Sequence, residues 1–74
     1  MLTSCEITNP STGTVTRFKC DYVNHDRRRR LWSGITIYAD GKREDMPHLM
    51  TYGIVSRYIK QAKNLNYKVR SGYV

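Results

Sequence analysis

A small α+β fold is predicted for this sequence: a three- to four-stranded antiparallel sheet with one amphipathic helix packed on one face, in the order β-β-β-(β)-α-β. Three observations carry it. Two stretches rich in β-branched residues flank the turn formers Asn9-Pro10-Ser11-Thr12-Gly13, which is a hairpin signal. A third such stretch, Leu31 to Tyr38, follows a run of arginines. From Pro47 onward the spacing of apolar residues changes from the period of a strand to that of a helix. At 74 residues the chain is about half of a ~150-residue domain, so residues 1–74 are read as a single small basic domain.

In the second stretch, Thr14 to Tyr22, alternation puts Thr16, Phe18, Cys20 and Tyr22 on one face and Val15, Arg17, Lys19 and Asp21 on the other. The first face is the core side. Cys5 and Ile7 share a face of the preceding strand, within reach of Phe18. A two-residue loop at Thr12-Gly13 would set Ile7 opposite Phe18 and Cys5 opposite Cys20, whereas a four-residue loop would set Cys5 opposite Phe18. Both registers keep the same faces, because they differ by two residues.

Asn24-His25-Asp26 interrupts the pattern, and Arg27-Arg28-Arg29-Arg30 leads into the third strand. There Leu31, Ile35 and Ile37 share one face and Trp32, Thr36 and Tyr38 the other, which predicts a strand that is central or covered on both sides. Asp40-Gly41 is a turn signal, and Lys42-Arg43-Glu44 after it reads as a short edge strand or as loop.

Met50, Ile54, Val55, Tyr58, Ile59, Ala62 and Leu65 then recur at helical spacing as one broad apolar stripe. Pro47 suits a first-turn position with Asp45 as cap, while Thr51 is a rival cap that would start the helix four residues later. Asn64 and Asn66 mark the end. Tyr67-Lys68-Val69-Arg70 alternates as a final strand, with residues 71–74 as its tail.

Thirteen Lys and Arg against six Asp and Glu give a net charge of +7, a balance that favours polyanions or an acidic protein surface. The cations fall in two tracts. Residues 17–43 hold eight basic and three acidic side chains, and residues 57–70 hold five basic and none acidic. The N-terminal residues lack the basic flank and apolar core of a secretory signal, and no apolar run approaches ~18 residues. The expectation is a cytoplasmic protein with no membrane contact, in which Cys5 and Cys20 are reduced, small apolar residues.

Arg27, Arg28, Arg29 and Arg30 can contact phosphates in the planar, bidentate way that Lys cannot; as a bare charge run they would simply be a solvated loop. Arg57, Lys60 and Lys63 lie three apart on the helix as a basic stripe facing away from the apolar one, and Lys68 and Arg70 are read as continuing this basic stripe on the last strand. Arg17 and Lys19 on the outer hairpin face, with Lys42 and Arg43, complete the cationic set. Trp32 and Tyr38 would stack exposed bases if they form an open aromatic row, and are core if the helix covers them.

Cys5, Cys20, His25 and His48 lack the close spacing of a zinc site, so no metal and no cofactor is expected. A Cys5–Cys20 disulfide would need the tight-loop register. No nucleophile with a base, no carboxylate pair at a cleft and no glycine-rich phosphate loop is found. His25 beside Asp26 is a minimal acid–base pair without a second base or metal. The chain is therefore read as no enzyme.

Two expectations follow for function. The first is a nucleic-acid-binding module, for DNA or RNA, that neutralises phosphates with little reading of bases. The second is a small phage-like accessory protein that binds, and inhibits or modulates, an acidic host protein. An uncapped sheet edge would also allow a homodimer. The layout is similar to that of the arm-binding domains of tyrosine recombinases, a resemblance of arrangement that implies a sheet docked in a DNA groove.

Overall fold

The computed structural model describes the backbone of residues 2–24 and 29–73, and the side chains of residues 2–20 and 31–73. The elements are β1 (Leu2–Thr8), β2 (Val15–Asn24), β3 (Arg29–Ile37), β4 (Arg43–Asp45), β5 (Met50–Thr51), α1 (Tyr52–Asn64) and β6 (Lys68–Tyr73). All pairings are antiparallel, in the strand order β4-β3-β2-β1-β6, with β5 also on β3. The α+β arrangement expected from the sequence is thus present, with the short β5 added. Segment 42–44, left open between strand and loop, contributes to β4.

The first hairpin adopts the wider loop. Thr8 pairs with Val15 and Cys5 with Phe18, and the Asn9 and Gly13 amides donate to Thr14 O and Asn9 O, each at 2.9 Å. The Asn9 side chain fixes the turn by accepting from the Ser11 amide at 3.0 Å, and Gly13 takes the left-handed conformation at φ 74. Cys5 and Cys20 are therefore diagonal neighbours. Diagonal neighbours lie about 7–8 Å apart, their Cβ atoms somewhat less, where a disulfide needs Cβ atoms roughly 3.5–4.5 Å apart, and the two thiols are free.

The helix starts at Tyr52 behind Thr51 as N-cap, the later of the two starts read from the sequence. Pro47 does not open it. Residues 50–51 are held instead by pairing with β3, Met50 opposite Trp32 and Thr51 opposite Leu31, so Met50 enters the core from a strand. At the other end Asn66 is left-handed at φ 59. The Tyr67 amide donates to Ala62 O at 2.9 Å and the Asn66 amide to Lys63 O at 3.1 Å, the paired bonds of a Schellman stop.

Opposed residues on antiparallel strands share a face, so the registers sort the sheet into two sides. One side carries Cys5, Ile7, Phe18 and Trp32, buried with Met50, Val55 and Ala62 as the core. Trp32, Phe18 and Val55 are its largest fully buried side chains. Each side chain of this size stabilises the fold by about 1.5–3 kcal/mol relative to exposure.

Of the helical stripe, only Val55 and Ala62 are buried and Ile59 partly so; Ile54, Tyr58 and Leu65 stay 42–52% exposed. The stripe is wider than the contact one helix makes with a sheet. The spacing predicts that Ile54, Val55, Tyr58, Ile59, Ala62 and Leu65 all pack against the strands; Tyr58 does set its ring 5.3 Å from that of Phe18 in β2, while Ile54 and Leu65 stay exposed to solvent. The face of β3 bearing Leu31, Ile35 and Ile37 lies on the side away from the helix, so β3 is central but covered on one face alone.

Candidate nucleic-acid interface

The helix-free side of the sheet can be read as rows running from strand to strand. One row is Arg43, Ile37, Val15, Thr8 and Lys68; the next is Asp45, Ile35, Arg17, Glu6 and Arg70; the third is Ser33, Lys19, Ser4 and Gly72. Five cations from three strands thus share one face with two carboxylates, Glu6 and Asp45. With strands ~4.8 Å apart, Arg43 and Lys68 stand about 19 Å apart on opposite edges, and Arg17 and Arg70 about 10 Å apart astride Glu6.

The middle of this face is a shallow trough of about 760 Å³, lined among others by Glu6, Arg17, Lys19, Ile35, Asp45 and Arg70. Arg17 Nε donates to Glu6 Oε2 at 2.8 Å, with the side chains 54% and 34% exposed. Cations that can reach solvent therefore ring a central carboxylate.

The sequence had joined Lys68 and Arg70 to the helical stripe; the structure separates them. Val69 lies opposite Ile7 and packs against the core, so its neighbours Lys68 and Arg70 fall on the other face and join Arg17 and Lys19. Arg57, Lys60 and Lys63 remain exposed on the helix, across the sheet from them. Lys42 is exposed in the turn before β4, where its amide donates to Asp40 Oδ1 at 3.0 Å.

Arg27 and Arg28, with His25 and Asp26, lie outside the described residues. Arg29 and Arg30 begin β3, paired with Asn24 and Val23. Among the described residues, β1 pairs with β2 no further than Ser4 with Lys19, and β5 pairs with β3 no further than Leu31 with Thr51. The β2–β3 ladder thus continues as a two-stranded end leading to the arginine run, and the longest dimension of the molecule is 41 Å.

The aromatic pair divides. Trp32 is 1% exposed and packs near Tyr52 at 6.3 Å between ring centroids, so it is core and offers no ring to a base. Tyr38 is 41% exposed and donates to Glu44 Oε2 at 2.8 Å. That bond to a carboxylate, with the charge of Glu44 beside it, holds the phenol in its neutral form and raises its pKa. Burial raises the pKa of the Cys5 thiol, against a smaller opposing effect of a hydrogen bond with Ser71.

Among the described residues no three His, Cys, Asp or Glu side chains gather where one ion could be held, and no helix is long and apolar enough to cross a membrane. The sequence did not assign the two carboxylates of this face to it: Glu6 is placed by the pairing of β1 with both β2 and β6, and Asp45, read there as a helix cap, by the pairing of β4 with β3. Comparison with protein-family models, with curated proteins and with solved structures found no match.

Proposed function

We propose that this protein is a non-enzymatic module that binds duplex DNA, with the helix-free sheet face on the phosphates and the two-stranded β2–β3 end in the major groove. The observation that carries this reading is the convergence of Arg17, Lys19, Arg43, Lys68 and Arg70 on one face. A five-stranded sheet about 19 Å across exceeds the ~12 Å major groove, but a two-stranded ribbon fits it. The narrow major groove of A-form RNA refuses such a ribbon. Contacts to phosphate give affinity with little reading of sequence.

The test is fluorescence anisotropy with a 20-base-pair DNA duplex, the matching single strand and an RNA duplex, each at about 50 and 200 mM salt. Duplex DNA binds tightest, with a slope of log affinity against log salt of about −0.9 per phosphate contacted. Replacing Arg17, Lys19 and Arg70 together by Ala makes that slope shallower by about 2–3. Failure of all three nucleic acids to bind at low salt ends the proposal.

A further inference from the structure

The helix carries a second apolar ridge that the fold does not use. Ile54, Tyr58 and Leu65 are 42%, 43% and 52% exposed, and at ~100° per residue they lie within about 40° of one another around the axis. Val55 and Ala62, the buried residues of the helix, lie beside this ridge and not under it. Tyr58 is already fixed on one side, its ring 5.3 Å from that of Phe18. An aromatic side chain so braced, with its far edge in water, can anchor a partner at low entropic cost.

The charge beside the ridge decides what it fits. The helix contains Arg57, Lys60 and Lys63 and no acidic residue, and Arg57 lies only about 60° around the axis from Ile54. A second copy docked antiparallel along this ridge would bring its Arg57 flank against the same flank of the first, with no acidic residue on either helix to offset it, a juxtaposition that opposes association. We infer that the outer surface of α1 is a docking site for an acidic amphipathic helix of a partner protein, which lays its apolar side on Ile54, Tyr58 and Leu65 and its carboxylates against Arg57, the cation that borders this ridge. This site is across the sheet from the cations assigned to DNA and stands independently of that assignment. A molecule with both faces occupied would tether an acidic protein to DNA.

A displayed library of helical peptides, randomised at every surface position, can be panned against the full chain. The expected outcome is enrichment of sequences with large apolar residues at i, i+3 or i+4 and i+7 and with Asp or Glu beside them. Synthesised peptides of that class lose at least tenfold in affinity towards Arg57→Glu and towards Ile54→Ser/Leu65→Ser, all at exposed positions. Circular dichroism reports that each variant remains helical. The same peptides keep their affinity for the Arg17, Lys19 and Arg70 alanine variant, which separates failure here from failure at the sheet.

Absence of enrichment overturns the inference. So does enrichment of basic or uncharged peptides, or equal binding of poly-glutamate, which carries charge without the apolar side. Sedimentation equilibrium of the chain alone supplies the last outcome: a dimer dispersed by Ile54→Ser/Leu65→Ser would make a second copy the occupant and refute the acidic partner.

Discussion

Glu6 and Arg17 face each other across the β1–β2 ladder and close an ion pair of 2.8 Å in the middle of the open sheet face. Arg70 is the partner of Glu6 on its other side, in β6. One carboxylate is thus shared between two cationic positions. An ion pair this exposed contributes about 0–1 kcal/mol to stability. Its larger consequence is electrostatic, since Glu6 opposes any anion brought to Arg17 and Arg70.

Replacing Glu6 by Gln therefore strengthens binding to duplex DNA at low salt, by up to roughly fivefold for an exposed pair worth at most about 1 kcal/mol. The shape of the side chain is kept and only its charge is lost. Thermal stability changes by less than ~1 kcal/mol. Anisotropy at two salt concentrations measures the first effect and thermal unfolding the second. Weaker binding of the variant would mean that Glu6 positions the arginines and does not compete with phosphate.

How much of this was legible in the sequence differs between elements. Strand faces follow from period two, and Phe18, Cys5, Ile7 and Trp32 fall on the core side as alternation requires. The later helix start was readable at Thr51, but choosing it over Pro47 depended on the pairing of Met50 with Trp32, a contact 18 residues apart. The false continuity from Lys63 to Lys68 has the same origin. Spacing along the chain says nothing about which strand β6 joins, and its pairing with β1 is what turns Lys68 and Arg70 away from the helix.

Tyr38 provides a pH-dependent readout of the β3–β4 turn. The neutral phenol is the form that donates to the Glu44 carboxylate, so the folded-state pKa lies above the ordinary 10.0. The stabilisation is fully present below that ordinary value and is lost as pH rises through the folded pKa. Ring-labelled tyrosine followed by carbon NMR should show Tyr38 titrating above the ordinary phenol value, and Glu44→Gln should lower its midpoint. An unchanged midpoint in the variant would remove Glu44 as the cause.

The two thiols should separate kinetically. Cys5 is 2% exposed and its thiol pKa is pushed up by burial, whereas Cys20 is only partly buried. Ellman's reagent at pH 8 therefore modifies one thiol quickly and the second only as fast as the core opens. Cys20→Ser removes the fast phase. If Cys5→Ser removed it instead, the burial of Cys5 in the core between the sheet and the helix would be wrong.

Gly34 tests how the core closes over β3. It lies opposite Phe18, and a Cβ built there would stand 2.6 Å from Met46 Sδ and 2.9 Å from Met50 Cε. Both atoms are at the mobile ends of flexible side chains, so a single methyl can displace them. Alanine also relieves the entropic cost of glycine in a strand, about 0.5–1 kcal/mol, and Gly34→Ala is expected to change stability by less than ~1 kcal/mol. Valine adds two further methyl groups in a space already filled by two thioethers. Overpacking of that kind costs about 1–3 kcal/mol, outweighing the strand preference of valine, and corresponds to a fall in Tm of roughly 4–8 °C per kcal/mol for a chain of this size. Thermal denaturation of the two variants side by side is the measurement. A valine variant as stable as wild type would show that Met46 and Met50 do not occupy the space over Gly34, and with it that β5 does not hold Met50 in the core.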